Sequence, residues 1–317
     1  MSAIRDALAQ YVAVRRALGT QLREPAVTLG YFVDFLEAQG AEFITIELAL
    51  RWATESKLVE RATWARRLSM VRRFAFWLSA IDTRTEVPPS RLLDARHRRK
   101  KPHIFTIDEI GRLMAEASRL RSPKGLRAIT QGTLIGLLAS TGLRPGEALA
   151  LDVSDVDLMN GVLSIRQTKF GKSRFVPVED STRAALTHYA EQRDKLCPRP
   201  RPEAFFVSER GLRLHCCAAR DTFARMCCAI GLRVAAANPL RIGRGPRLQD
   251  FRHSFATRRL VDWYRAGLDV ERELPKLSTY LGHASVEATY WYIEAVPELL
   301  HLATERSCGR AQPGGAQ

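Results

Sequence analysis

The segment LGHASVEATYWYIEAV, Leu281 to Val296, places Tyr290, Trp291 and Tyr292 in consecutive positions shortly after a Gly-His pair. On a helix that turns by about 100° per residue, Tyr290 and Tyr292 point about 200° apart. A single site on one helix face can therefore use only one of the two phenols. A tyrosine in such a segment is more often part of a core than a reagent, so the rest of the sequence must decide its role.

The chain is strongly basic. Its 317 residues include 49 Lys and Arg against 34 Asp and Glu, which gives a formal net charge of +15. This excess indicates a polyanionic partner, for which nucleic acid is the best candidate, and a merely solvated basic surface is the alternative. The length suits two domains, with a proper core in at least one of them.

The sequence predicts no membrane segment. The N-terminal stretch MSAIRDALAQYVAVRRALG lacks the apolar run of a signal peptide, and TLIGLLASTGL is shorter than the roughly 20 apolar residues that cross a bilayer. We expect a cytoplasmic, nucleoid-associated protein. The six cysteines are typical of reduced thiols, and the adjacent pairs lack the spacer of a zinc site. We expect neither a metal nor a cofactor.

Residues 1–82 predict a helical N-terminal domain that binds DNA. TLGYFVDFLEAQG has helical apolar spacing and stops at Gly40, the residue type that favours a C-terminal cap. ERATWARRLSMVRRFAFWLSA carries an apolar stripe from Trp64 to Leu78 with arginines around the remaining circumference. A solvated face is the alternative, but in a basic protein we predict that this helix contacts DNA phosphates. The predicted contacts are Arg66, Arg67 and Arg73.

Residues 83–103, TRTEVPPSRLLDARHRRKKPH, predict a linker because three prolines interrupt a basic stretch. Its basic run is predicted to touch DNA through Arg98, Arg99, Lys100 and Lys101. The second domain is predicted over residues 104–308. It begins at Thr106, which has Glu109 at capping-box spacing. Residues 309–317, GRAQPGGAQ, are predicted to form a disordered tail.

The second domain is predicted to be mainly helical with a small antiparallel sheet. LRAITQGTLIGLLASTG reads as a buried helix capped by Gly142, and Pro145 suits the first turn of the next helix. Arg144 then lies beside a helix N-terminus, where an anion is favoured. GVLSIRQTK, FGKS and RFVPVE predict a strand, a turn and a strand, with Lys169 near the tip.

Four segments, in this order, resemble the tyrosine recombinases of the phage integrase family. STGLRPGEALAL resembles the first arginine box, TKFGKSRFVPV the hairpin lysine, LQDFRHSFATRRL the second arginine box, and YLGHASVEATYWYIEAV the His-to-Tyr segment. The last segment looks most similar to recombinases encoded by transposons. The resemblance implies a helical core-binding domain, a catalytic domain, and double-stranded DNA as substrate and partner.

The resemblance also assigns roles to residues. The family's nucleophile lies nine residues beyond the Gly-His histidine, which selects Tyr292. The implied catalytic residues are Arg144, Lys169, Gln249, Arg252, His283 and Tyr292. Beside the hairpin, Lys172 and Arg174 are expected to contact DNA. Glu147 is expected to brace Arg144, and His253 to support the site from behind.

These residue types suit phosphodiester cleavage without a metal. Such a site needs a nucleophile, cations around the phosphate and a proton donor for the leaving oxygen. Arg144 and Arg252 can each form paired hydrogen bonds to phosphate oxygens, and Lys169 can protonate the departing 5′ oxygen. Tyr292 would remain joined to the 3′ phosphate. Because that bond retains the energy of the phosphodiester, a 5′ hydroxyl can reseal the strand without ATP.

One position departs from the family pattern. The second box usually carries His where this chain has Gln249, and glutamine cannot shuttle a proton near neutral pH. We therefore expect slower cleavage. The predicted function is site-specific recombination for integration or transposition of a mobile element. A catalytically impaired DNA-binding protein and a type IB topoisomerase are the alternatives.

The family also implies an assembly. Its members join four protomers on two DNA sites, so we expect a homotetramer or a mixed assembly with related recombinases. The segment near Val296 to Glu305 is the candidate for docking on a neighbour.

Overall fold

The structure is a computed structural model that describes residues 2–57, 59–93, 101–166, 173–197, 203–234 and 245–283, with residues 285, 289, 290 and 292. The chain divides into two compact units, Met1–Lys100 and Lys101–Gln317. Helices dominate the described residues, and the strands form one small antiparallel sheet. The predicted fold class is confirmed.

The described part of the first unit is built from four helices. Apolar residues at helical spacing pack inward, and the rings of Phe32 and Trp52 lie 5.0 Å apart in the core. Gly40 has a left-handed φ of 66° just after the second helix, as its sequence position predicts. The helices are α1 (Ala3–Ala17), α2 (Arg23–Ala38), α3 (Ile46–Thr54) and α4 (Arg61–Leu78).

Part of the predicted linker packs on the first unit. Thr85 is buried, and the backbone N–H of Glu86 donates to the Ile44 carbonyl at 2.8 Å. The Glu86 carboxylate also accepts from the backbone of Ile46 at the start of α3. These residues are therefore part of the first unit's fold, although their sequence predicts a linker.

The second unit is organised around one buried helix. α6 packs against α5, α8 and α10, and its buried residues lie on several faces, as expected of a central helix. The described helices of this unit are α5 (Ile107–Ser118), α6 (Leu126–Thr141), α7 (Pro145–Ala150), α8 (Asp180–Leu196), α9 (Cys216–Ala229), α10 (Asp250–Arg265) and α11 (Val270–Leu281).

Local signals in the second unit are confirmed. Thr106 caps α5, and both hydrogen bonds of the capping box with Glu109 are present. Pro145 is the first residue of α7, and Gly142 ends α6 with a φ of 62°. These two positions matter for function, because they fix the backbone on either side of Arg144.

The sheet has the order β1-β2-β3, with β1 at Val156–Asp157, β2 at Val162–Ile165 and β3 at Arg174–Pro177. The predicted pair of strands is confirmed as β2 and β3, and β1 adds a two-residue edge. Leu163 pairs with Val176, and Ile165 pairs with Arg174. The hairpin turn and Lys169 lie outside the described residues.

Candidate active site

Two helices of the second unit end close to the same point, and their last carbonyl groups hold the site's arginines. α6 ends at Gly142 and α11 ends at Gly282, both in the left-handed conformation. The C-terminus of a helix carries unpaired carbonyls and a partial negative charge, which favours a nearby cation. The C-terminal ends of α6 and α11, each terminated by a glycine, can therefore both bind a cation.

Arg252 is the central side chain of the site. It is the third residue of α10 and only 2% exposed. Its Nη1 donates to the Gly142 carbonyl at 3.1 Å, and its Nη2 donates to the Leu281 carbonyl at 2.7 Å. Burial lowers the pKa of Arg252 to about 10, while charge and a side-chain hydrogen bond with Tyr292 act to raise it. The guanidinium therefore stays charged at neutral pH.

Arg144 is the second guanidinium. As the N-cap residue of α7 it has an extended backbone, and its Nη2 donates to the Gly282 carbonyl at 3.3 Å. Its Nη1 forms an ion pair with Glu147 at 2.7 Å. One third of the side chain is exposed, so Arg144 can still meet a ligand that approaches from solvent.

Glu147 forms a second ion pair, with Arg174, which the sequence does not predict. Arg174 contacts both carboxylate oxygens, at 2.8 Å and 3.2 Å, while Arg144 contacts the same carboxylate through its side chain and backbone. Burial acts to raise the pKa of Glu147, but the bonds and charge of Arg174, together with those of Arg144, lower it overall. Glu147 is thus an anion shared by two arginines.

The two tyrosines of the C-terminal segment differ in exposure. Tyr292 is 3% exposed and packs with the apolar side chains of α10 and α11, whereas Tyr290 is 45% exposed. The hydrogen bond and the charge interaction with Arg252 bring the Tyr292 hydroxyl to the buried guanidinium. Of these two phenols, Tyr292 is the one that the fold joins to the arginine cluster.

His283 stacks on the ring of Tyr292, with ring centroids 5.9 Å apart and an interplanar angle of 23°. Its Nδ1 lies 2.8 Å from the hydroxyl of Thr289, which is fully buried. Burial and then the charges of Arg252 and Arg144 lower the pKa of His283 to about 4. The imidazole is therefore neutral at pH 7. A Thr289 hydroxyl that donates to Nδ1 would leave the ring proton on Nε2, from which it can be donated to an anion.

His253 lies against the other side of the same phenol. Its ring contacts Tyr292 edge to face at 5.3 Å between centroids. The sequence predicts support from behind the site, because His253 is rotated by about 100° from Arg252 on the helix. In the structure Tyr292 packs against side chains of α10, so His253 touches the phenol itself.

Gln249 occupies the N-cap position of α10 and is half-buried. It lines a cavity of about 520 Å³ together with Pro145, Arg220 and Arg247. Gln249 thus lies near the start of α7, which follows Arg144, and it directly precedes the first turn of α10, which carries Arg252.

The residues predicted to touch DNA have different surroundings. Arg66 pairs with Glu24, and Arg67 lies over the ring of Trp52 at 5.7 Å, while Arg73 and Lys101 are exposed. Arg174 is only 11% exposed and is held by Glu147, unlike a surface DNA contact. The remaining predicted contacts lie outside the described residues, namely Arg98, Arg99, Lys100 and Lys172, as does the catalytic candidate Lys169.

Two members of the site were not expected from the sequence. Thr289 was not predicted, because a single threonine in a polar segment has no periodicity that would indicate burial or a contact with His283. The pairing of Arg174 with Glu147 joins residues 27 positions apart. A signal for Arg174 existed, since strand alternation places it on the same face as Val176, which is buried.

A neutral imidazole, two charged guanidiniums and a buried phenol thus meet in one place, which suits a tetrahedral oxyanion. Residues 103–298 match the pattern described as the phage integrase family. The chain belongs to the phage integrase family.

Similar proteins in the phage integrase family match nearly the full length of the chain. A relative from Sinorhizobium fredii that carries the name integrase/recombinase y4rB is 44% identical, covering 96% of this chain and 97% of its own. Tyrosine recombinase XerD of Caulobacter vibrioides is 32% identical, covering 78% of this chain and 76% of its own. Both names agree with the tyrosine recombinase family.

Solved structures share the fold at lower identity. The Tn1549 transposon integrase in complex with transposon right end DNA superimposes with a TM-score of 0.65 at 17% identity, covering 96% of this chain and 99% of that one. A lambda integrase tetramer bound to a Holliday junction gives 0.61 at 17% identity, with 91% and 76% covered. The fold is therefore that of the integrases.

Neither a membrane-spanning helix nor a metal-binding cluster occurs among the residues that the structure describes. Within them, no helix combines the length and apolar character needed to cross a membrane. The same residues contain no group of three or more His, Cys, Asp or Glu side chains arranged to hold a metal ion.

Proposed function

We propose that this chain is a site-specific DNA recombinase that cleaves and rejoins strands through Tyr292. The observation that carries the proposal is the interaction of the Tyr292 hydroxyl with buried Arg252, next to Arg144 and His283. A phenol held against a guanidinium by the fold is poised to attack an anion that the guanidinium also binds.

Cleavage proceeds by transesterification. The Tyr292 phenol releases its proton to water, and its oxygen attacks the phosphorus of a backbone phosphate, forming a bond to it as the bond to the 5′ oxygen breaks. Arg144 and Arg252 donate to the nonbridging oxygens, where negative charge develops. His283, neutral and with Nε2 as its donor, adds a further hydrogen bond. The leaving 5′ oxygen takes a proton from Lys169, and Tyr292 keeps the 3′ phosphate as an ester.

Rejoining reverses these steps. A 5′ hydroxyl, from the same strand or another, attacks the phosphotyrosine, and the phenol leaves. The chemistry needs neither ATP nor a metal ion. Attack by a strand from a second DNA site completes an exchange, which is the step that integration or transposition of a mobile element requires. The name integrase/recombinase of the 44% identical relative supports this role.

The proposed partner is double-stranded DNA, bound by both basic units. The lambda integrase tetramer bound to a Holliday junction and XerH bound to palindromic difH substrate suggest the assembly. By analogy we propose four protomers on two DNA sites, as copies of this chain or with related recombinases. The segment 296–305 would dock on a neighbour.

The test is covalent capture on nicked duplexes tiled across the DNA that flanks the chain's coding sequence. The nick lets the short fragment that bears the freed 5′ hydroxyl diffuse away and traps the intermediate. The wild type and a Tyr290→Phe control should both give a protein–DNA adduct that survives denaturation, and Tyr292→Phe should give none. An adduct with Tyr292→Phe, or none with the wild type, contradicts the proposal. Strand exchange between two sites then separates a recombinase from a type IB topoisomerase.

A further inference from the structure

Arg174 is a buried cation at the edge of the site. It begins β3, where residues alternate between the two faces of the sheet, and it shares its face with buried Val176, whereas Phe175 is 75% exposed. The charge of Arg174 is already balanced by the Glu147 carboxylate at 2.8 Å, whereas the two Nη atoms of Arg252 donate to neutral carbonyls. Arg174 is therefore poorly placed to contact a DNA phosphate.

Three nitrogen atoms of Arg174 are bound. Nη1 and Nη2 donate to the two oxygens of Glu147 in the planar fork that only a guanidinium provides. Nε donates to the Tyr280 carbonyl, in the last turn of α11, at 2.9 Å. Arg174 thereby ties together α7, which carries Glu147, and α11, which leads directly into His283.

The guanidinium also packs on Gly282. A Cβ atom at that glycine would lie 2.7 Å from Nη1 and 2.9 Å from Cζ of Arg174. The carbonyl of the same glycine accepts from Arg144. The short backbone segment that precedes His283 is thus held between two guanidiniums, and a larger residue would separate them.

Charge balance gives Arg174 a second effect. Arg144 and Glu147 alone form a neutral pair, which would add little to the positive charge that Arg252 brings to the site. With Arg174 on the same carboxylate, the group of three carries a formal charge of +1. Arg144, as the more exposed of the two arginines, is the member that can present this charge to a ligand.

We propose that Arg174 is a positioning residue for strand cleavage, which orients Arg144 through Glu147, fixes the backbone before His283, and does not contact DNA. This inference rests on the proposed function for its effect on the cleavage rate. In the protein without DNA, Arg174 is expected to restrict the movement of the Arg144 side chain, whether or not the chain cleaves DNA.

The first experiment uses no DNA. Wild type, Arg174→Met and Arg174→Lys are treated with phenylglyoxal, and modification of Arg144 is followed by peptide mass spectrometry. Loss of the two hydrogen bonds from Arg174 to Glu147 should raise the rate at which phenylglyoxal labels Arg144. We expect a several-fold rise in Arg174→Met and a smaller one in Arg174→Lys. Arg213→Met is the matched control, because Arg213 also pairs with an acid, Asp152, and donates to two backbone carbonyls, those of Leu149 at the end of α7 and of Leu151. Unchanged labelling of Arg144 overturns the inference, whether or not the protein cleaves DNA.

The second experiment measures single-turnover cleavage at saturating protein. Removing one donor from an oxyanion site slows catalysis by about 100- to 1000-fold, so a loosened donor should slow it by about 10- to 100-fold in Arg174→Met. Arg174→Lys should recover part of that loss, and Arg213→Met should match the wild type. In a Glu147→Gln background the Arg174→Met change should add little, because both act through one carboxylate. A full multiplicative loss in the double variant overturns the inference.

The salt dependence of DNA binding separates positioning from contact. A side chain that neutralises a phosphate contributes about 0.9 to the slope of log K against log salt. Arg174→Met should leave that slope unchanged. A slope reduced by about 0.9 overturns the inference and makes Arg174 a DNA contact. If wild type and Tyr292→Phe both fail to form an adduct while Arg144 labelling rises in Arg174→Met, the proposed function fails and the positioning of Arg144 stands.

Discussion

Replacing Gly282 by alanine should destabilise the second unit in two separable ways. Gly282 has a φ of 69°, and a left-handed conformation costs a residue with a Cβ about 1–2 kcal/mol. The added methyl would also lie 2.7 Å from Nη1 of Arg174. That guanidinium is fixed by three bonds and cannot retreat freely, so overpacking should cost about 1–3 kcal/mol more. The sum is about 2–5 kcal/mol.

Gly267 supplies the control for this prediction. It follows α10 with the same φ of 69°, yet a Cβ there would meet nothing within 4 Å. Gly267→Ala should therefore lose only the backbone part, about 1–2 kcal/mol. Urea unfolding of both variants, followed by circular dichroism, gives the difference between the two free energies of unfolding. Equal losses in Gly282→Ala and Gly267→Ala would refute the close contact between Arg174 and the backbone before His283.

Three further predictions concern the catalytic candidates. His283, with a pKa lowered to about 4, should titrate below pH 5 in the ring-proton NMR spectrum of the DNA-free protein. Since the unfolded chain binds this proton with an ordinary pKa near 6.5, the folded state should lose stability as pH falls from about 6.5 towards 4; a midpoint above pH 6 would contradict the burial. Arg252→Lys should slow cleavage by about 100- to 1000-fold, because an ammonium cannot hold two carbonyls and a phosphate in one plane; a loss below 10-fold in single-turnover assays would contradict its central place. Gln249→His should raise the cleavage rate by about 10- to 100-fold if proton transfer limits it, and an unchanged or lower rate would count against that limit.

Local chemistry explains why several elements could be predicted. Thr106 and Glu109 specify a capping box within four residues, and Pro145 specifies a helix start through its own fixed φ. The choice of Tyr292 over Tyr290 follows from helix geometry combined with the family spacing. These signals lie within a few residues of the feature that they determine.

The remaining features depend on contacts between distant segments. In the sequence, Arg174 is a basic residue beside a hairpin. Its partners, Glu147 on α7 and Tyr280 on α11, follow only from the packing of β3 against these two helices. The pKa of His283 depends on burial and on two arginines from other helices. His253 touches Tyr292 because Tyr292 packs against side chains of α10, which a rotation angle along one helix cannot show.

The most direct test of the central claim is to identify the residue that carries the DNA. The trapped adduct is digested with nuclease and trypsin, and the peptide that spans residues 277–306 is sequenced by tandem mass spectrometry. It contains Tyr280, Tyr290 and Tyr292, so fragment ions assign the residual nucleotide to one phenol. We predict a nucleotide on Tyr292 alone. A nucleotide on Tyr290, or on any residue outside this peptide, would contradict the account.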